Sequence, residues 1–483
     1  MARKAGVFQT LKIAALAVTC HALWDAQPAS AQSLTFETGF ERLHSPKTTI
    51  EGLHRFYIGY QATPTLSFGQ SIYSGAIGNA GGAFFWGFEG VARLPLSEGL
   101  SVSASGFVGG GGGALQVIGD GTMLRAGLAL DYQVSQDWAV QATGSWIRIA
   151  GAPINGPAFG LGLRRQIGTS APGGWQPVLD SAGIFTTGLS SPAGVLDRNG
   201  NPQPNVALVG ARALFDLGDQ LQLSLSTAGA ASGAQGYMQV MTGLRRSFAF
   251  GNAALFIDGN AGFGGGGHID TGAGPLFEAA AGLRLPVTQA LDAELSLSGV
   301  VAPTGSFRAG AVSLGLMRNF ERTRRMRVAA TQIGSERWAY SGGFSIQRTG
   351  PGYFLNNNTA RHVVMQESAF DYFIGQNTYV SGIGQTTVYG GAAGYAVGLL
   401  GLGYQLELSP RWAVALEGHV GAAGGGGVNT AGGIVGSLRG ELDYRVTENF
   451  ALSLGLGQLR TARSSGMSSH FASVGVKIPF TTR

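Results

Sequence analysis

The segment "TMLRAGLALDYQV" (122–134) alternates with a period of two. Thr122, Leu124, Ala126, Leu128, Leu130, Tyr132 and Val134 fall on one side, and Arg125, Gly127, Asp131 and Gln133 on the other. The segment "IVGSLRGELDYRV" (434–446) repeats the pattern. Ile434, Leu438, Leu442, Tyr444 and Val446 share a side with Gly436 and Gly440, opposite Ser437, Arg439, Glu441, Asp443 and Arg445. Successive side chains of a strand point to opposite faces, so each segment is a strand with one apolar and one charged face. At about 13 residues each is more than twice the common globular strand and suits a tilted crossing of a bilayer.

Charge content supports that reading. Only 12% of the chain is charged, about half of what a soluble surface carries. Yet past the N-terminal segment no apolar run approaches the roughly 18 residues of a membrane helix. Low charge without helical spans leaves the transmembrane β-barrel, in which every backbone group is paired between strands.

Residues 1–31 stand apart from this pattern. Arg3, Lys4 and Lys12 precede the short apolar core "IAALAVTCHALW" (13–24), and "PASAQ" (28–32) offers an exit with cleavage after Ala31. This is the layout of a secretory signal peptide. Cys20 lies inside it, in "AVTC", which does not fit a lipoprotein signal. The mature chain therefore has no cysteine for disulfides or metal. The formal net charge of +5 loses three positive charges and one negative with the leader. The weakly basic remainder is no nucleic-acid footprint.

The strands belong to a threefold internal repeat. "LPLSEGLSVSASGFVGGGGG" (94–113), "SFAFGNAALFIDGNAGFGGGG" (247–267) and "LELSPRWAVALEGHVGAAGGGG" (406–427) align, and Trp138, Leu291 and Phe450 are equivalent. Each copy closes on "LGLRRQI" (161–167), "LGLMRNF" (314–320) or "VGVKIPF" (474–480). The copies are 32–167, 168–320 and 321–480, with a tail at 481–483. Each holds roughly seven to nine strands, so the expectation is an all-β, antiparallel transmembrane barrel of roughly 20–24 strands. One shared barrel is favoured because it needs a single insertion; the alternative is three barrels of about eight strands.

Loop lengths orient the strands. "PLSEG" (95–99), "VSQD" (134–137), "LSPR" (408–411) and "VTEN" (446–449) are short, while the glycine-rich connections, "AGAPINGP" (150–157) and "TARSSGMSS" (461–469) lie at the opposite strand ends. Short turns at the periplasmic side put the glycine runs outside. There glycine permits positive φ and close backbone approach, and the runs are also candidates to narrow a pore. They are not phosphate loops, because no Gly-Lys-Ser/Thr follows.

The last strand, "HFASVGVKIPF" (470–480), places Ala472, Val474, Val476, Ile478 and Phe480 at alternate positions. It resembles the C-terminal β-signal of bacterial outer-membrane β-barrel proteins, and departs from it in Pro479 and in the added Thr481-Thr482-Arg483. The resemblance implies outer-membrane location, contact with outer-membrane lipid, and recognition by the barrel-assembly machinery through Val474, Val476, Ile478 and Phe480. It identifies no subfamily.

Functional residues are then sought on the inward face. Arg125, Asp131, Glu278, Arg284, Arg439, Glu441, Asp443 and Arg445 are the lumen-facing candidates. Both signs occur, so the expected lumen is nearly neutral and suits passive passage of a hydrophilic solute or exported polymer. The alternative is a non-channel envelope scaffold or adhesin displaying the glycine-rich loops. A third reading, a lipid-modifying enzyme, rests on Glu417 and His419, which share the inward face; no paired metal spacing appears, and no cofactor is expected. Arg164, Arg165, Arg245, Arg246, Arg318, Arg322, Arg324, Arg325 and Arg327 gather near short-turn ends, as solvated charge or as a cationic mouth. Trp138, Trp412, Phe450 and Phe480 stand where an interfacial girdle would lie. "LDRNGNPQ" (196–203) reads as a turn rather than a calcium loop, lacking the glycine and glutamate placement.

Overall fold

The computed structural model describes residues 34–46, 48–113, 117, 119–167, 178–320, 336–448 and 450–482. The signal segment and the cationic run Arg322–Arg327 lie outside them. The described residues form 24 antiparallel strands closed into three barrels of eight. This corrects the expectation of one shared barrel.

Barrel 1 comprises β1 (Leu34–Leu43), β2 (Ile50–Thr63), β3 (Leu66–Gly78), β4 (Phe84–Ser97), β5 (Leu100–Gly112), β6 (Thr122–Gln133), β7 (Trp138–Ile149) and β8 (Ile154–Ile167). Barrel 2 comprises β9 (Val178–Ser190), β10 (Val206–Gly218), β11 (Leu221–Ser232), β12 (Met238–Phe250), β13 (Ala253–Gly265), β14 (Pro275–Pro286), β15 (Leu291–Val301) and β16 (Arg308–Asn319). Barrel 3 comprises β17 (Glu336–Arg348), β18 (His362–Phe373), β19 (Thr378–Tyr389), β20 (Ala396–Glu407), β21 (Trp412–Gly424), β22 (Ile434–Thr447), β23 (Phe450–Thr461) and β24 (Ser468–Thr482). Each barrel closes by pairing its first strand with its last: Leu34 with Ile167, Ala311 with Leu189, and Glu336 with Thr482.

The period of two decides what faces where. On β6, Met123, Arg125, Gly127 and Asp131 point inward and are buried, while Leu124, Leu128 and Leu130 point outward and are exposed. The outer surface is consistently apolar, with Leu161, Leu456 and Val420 respectively 73%, 70% and 69% exposed. A closed barrel this narrow has an interior just wide enough for side chains to fill. The sequences meet that demand: inward positions carry Arg, Glu, Tyr and Met where a wide pore would need only short polar groups.

Within each barrel the longest connections emerge at one end and turns of two to four residues lie at the other, because every odd-numbered connection falls at the same rim. The glycine runs therefore occupy the long-loop end, the fifth strand of each barrel running into them.

Candidate functional site: sealed bores and a glycine-lined junction

Each bore is filled in two layers. At the long-loop end sits an apolar plug. In barrel 1 it includes Leu53, Tyr73, Phe85, Phe107, Met123 and Ile147. In barrel 2 it includes Leu208, Tyr237, Met241, Leu276 and Phe307, and in barrel 3 Tyr353, Met365, Tyr395, Leu399 and Phe471. Sequence reading missed these plugs, because inward apolar residues at strand ends look like breaks in the alternation. That break, Met123 before Arg125 and Val435 before Ser437, was the available signal.

From mid-bore to the short-turn end lie networks of ion pairs. In barrel 1, Arg55 donates to Glu37 at 2.8 Å and to Glu89 at 2.9 Å, and Arg125 donates to Glu41 at 2.5 Å. Arg93 joins Glu37 at 2.6 Å, while Asp131 accepts from Gln141 at 2.6 Å and Ser103 at 2.9 Å. In barrel 2, the fully buried Arg245 makes a two-pronged contact with Asp258, at 2.7 and 2.9 Å, and reaches Glu294 at 2.7 Å. Arg284 shares Glu294 at 2.7 Å, and Glu278 accepts from Asn260 at 3.1 Å. In barrel 3, Arg439 donates to Glu367 at 2.5 Å and lies 2.8 Å from Glu441. Lys477 donates to Glu441 and, at 2.9 Å, to Asp443.

Geometry across the bore is decisive. Arg439 on β22 and Glu367 on β18 belong to strands four apart in a ring of eight, so one ion pair spans the diameter. Unpaired charge in such a dry interior would cost several kcal/mol, and mutual pairing with further hydrogen bonds is what makes it tolerable.

Of the lumen-facing candidates, Arg125, Asp131, Arg439, Glu441 and Asp443 are buried, and Glu278 and Arg284 are partly buried, all within these networks. Arg445 is the exception. It sits at the short-turn rim, 37% exposed, paired with the still more exposed Glu407. Residues expected in one lumen are divided among three.

The cationic short-turn cluster dissolves in the same way. Arg245 is interior, and Arg164 turns inward to within 3.7 Å of Asp131. Arg165 lies over Trp138, Arg246 over Phe248, and Arg318 over Phe320 and Tyr372. Trp412 packs on Tyr444 at 4.8 Å, and Phe480 stacks with Trp338 at 6.4 Å, both at the short-turn end. On β24, Val474 is 58% exposed on the outer face, with Val476, Ile478 and Phe480 partly exposed on the same face and Lys477 buried inside. Glu417 and His419 both point into barrel 3, but their nearest approach is 3.8 Å, and Glu417 is already bound by the Tyr379 hydroxyl at 2.6 Å.

The glycine runs serve the junction between barrels. A β-carbon on Gly112, at the end of β5, would lie 2.5 Å from the Gly394 nitrogen of barrel 3. On Gly265, at the end of β13, it would lie 2.4 Å from the Gly82 α-carbon of barrel 1, and on Gly424, at the end of β21, 2.5 Å from the Gly236 nitrogen of barrel 2. In each case the fifth strand of one barrel meets the loop after the third strand of another, and the three contacts close a ring of pseudo-threefold symmetry. Backbone hydrogen bonds cross it, from Gly394 to Gly111 at 2.8 Å and from Gly81 to Gly272 at 2.7 Å. The Asp120 carboxylate of barrel 1 accepts from the Gly390 and Gly391 amides of barrel 3 at 2.9 and 3.0 Å. Side chains complete it: Gln70 donates to Tyr340 at 2.7 Å, and His54 stacks on Phe263 at 4.9 Å. Small residues that let backbones touch are the usual means of joining elements where hydrocarbon gives no hydrophobic drive.

No family model matches the chain, and no curated protein does. Among solved structures it is similar to OccK11 (OpdR) of Pseudomonas aeruginosa, at 11% identity over 94% of this chain and 96% of that one, with a TM-score of 0.23. It is similar also to the outer membrane protein opdK of the same organism, at 12% identity over 94% and 98%, TM-score 0.25. A third is the ferric-catecholate import receptor Fiu of E. coli K12, at 11% over 94% and 82%, TM-score 0.30. At these TM-scores the likeness carries no argument about function, and the barrel architecture stands on its own pairing registers.

Proposed function

We propose that this chain is a non-conducting outer-membrane scaffold, a single-chain trimer of sealed barrels that presents glycine-rich loops at one face of the membrane. The observation that carries this reading is the state of the bores. Each is blocked twice, by an apolar plug and by ion pairs between non-adjacent strands, which in barrel 3 span the diameter. Membrane embedding is supported by the continuous apolar exterior, since exposed apolar area on this scale marks a surface that is covered in use.

A passive conduit is disfavoured by the same bores, because opening one would require separating pairs such as Arg245–Asp258 in a dry interior. The test is reconstitution of the mature chain into planar bilayers, together with fractionation and heat-modifiable gel migration. The scaffold reading expects membrane residence, a heat-dependent mobility shift and no stepped conductance. Reproducible unit conductance steps would refute it, and residence in the soluble periplasm would refute the membrane reading altogether.

A further inference from the structure

The outer face of barrel 3 differs from those of its two siblings. Between β21 and β24 the outward residues leave a groove of about 430 Å³, lined by Leu416, Leu438, Gly440, Leu456, Gln458 and His470 among others. Gly440 adds no side chain to the groove floor, and a β-carbon there would meet no atom within 4 Å. Registers place Trp412 opposite Tyr444 in barrel 3 and Leu100 opposite Tyr132 in barrel 1, so Leu128 holds the position of Gly440. The same count along β13 and β14 gives Ala281 in barrel 2. At this position barrel 3 has no side chain, where barrel 1 has leucine and barrel 2 alanine.

At its long-loop end the groove is bordered by polar and cationic groups. His470 pairs with Gln458, and Arg460 pairs with Ser468, so Arg460 and His470 are diagonal neighbours about 7–8 Å apart. Both are exposed. On the far side of β24, exposed Arg348 of β17 stands opposite exposed His362 of β18. The long-end loops of this barrel, 349–361, 390–395, 425–433 and 462–467, contain Arg361 and Arg463 but no aspartate or glutamate. Asp120 of barrel 1, which reaches this rim, has an oxygen committed to the Gly390 and Gly391 amides. Donors and positive charge therefore stand above an apolar channel, on a surface otherwise built of leucine and valine. Phosphate is the group that such donors recognise, and a hydrocarbon chain is what the channel accepts.

We propose that this face holds one anionic membrane lipid, its phosphate-bearing headgroup against Arg460 and His470 and an acyl chain along the Gly440 groove. The inference rests on the membrane embedding proposed above, but not on the barrels being closed.

The test uses the full mature chain in neutral detergent, with bound lipid counted by native mass spectrometry. The probes are a diphosphorylated glucosamine-based lipid, phosphatidylglycerol and zwitterionic phosphatidylcholine. One anionic lipid per chain is expected to be retained, with zwitterionic phosphatidylcholine lost. Preference between the two anionic probes then tells which leaflet supplies it. Arg460→Gln should weaken retention about fivefold, the effect of one cation near a charged lipid surface. Gly440→Leu, which copies barrel 1, should abolish retention while heat-modifiable migration shows the barrels intact. Equal retention of phosphatidylcholine, retention unchanged in both variants, or no retained lipid would overturn the proposal. A chain that resides in the membrane and does not conduct, yet retains no lipid, overturns this inference and leaves the scaffold reading standing.

Discussion

Gly265→Ala isolates the role of the glycine-lined junction. The added methyl would sit 2.4 Å from the Gly82 α-carbon and 2.6 Å from the Gly81 carbonyl oxygen, both backbone atoms of another barrel. Ordinary contact begins near 3.4 Å, so barrels 1 and 2 must part by about an ångström where backbone hydrogen bonds now join them. Overpacking of that kind costs about 1–3 kcal/mol. The same strand supplies its own control. Gly259 also lies on β13, and a β-carbon there meets nothing within 4 Å. Gly259→Ala should be neutral or should stabilise by about 0.4–1 kcal/mol, because alanine restricts the unfolded chain. Equilibrium urea unfolding of the two variants in identical micelles should therefore separate them by about 1–4 kcal/mol. Far-UV circular dichroism should show full strand content in both. If Gly265→Ala is as stable as Gly259→Ala, the junction does not depend on backbone contact and the assignment of the glycine runs fails. Gly112→Ala and Gly424→Ala should repeat the result at the other two contacts of the ring.

Other consequences are equally direct. Arg245→Ala leaves Asp258 and Glu294 without the cation between them and should cost about 3–5 kcal/mol in urea unfolding; a loss below 1 kcal/mol would show that water enters the bore. In the β13–β14 loop, Asp270 is held below its ordinary value of 3.8; burial opposes this, and the Ser306 and Gly272 amides and Arg198 outweigh it. A depressed carboxylate stabilises the loop above the ordinary value, and that contribution disappears as pH falls through the folded one. Protection of the Gly272 and Ser306 amides, with exchange corrected for its intrinsic pH dependence, should thus fall on acidification, and Asp270→Asn should remove that fall. His419→Ala should leave envelope lipid profiles unchanged, whereas an altered profile would revive the enzymatic reading of that residue with Glu417.

Much of this architecture is legible in local residue patterns. The alternation that separates Arg125 and Asp131 from Leu124 and Leu128 depends only on strand geometry, so inward and outward faces follow at once, as does the rim at which loops are long. The threefold repeat is likewise visible in equivalent segments such as those ending in Gly112, Gly265 and Gly424. What alternation cannot contain is the choice of partner for a terminal strand. β8 has the same local sequence character whether it pairs with β1 or continues to β9. Closure on β1 is a non-local choice, settled by side chains from opposite walls that fit one another only across a narrow bore. Arg439 with Glu367, and Arg125 with Glu41, are such pairs, and their members lie 72 and 84 residues apart.

The glycine runs show the same division. Their composition and recurrence determined that backbone would come close to something at three equivalent corners. Only the tertiary structure decided that the neighbour is another barrel of the same chain, because a close approach has two sides and a sequence describes them far apart.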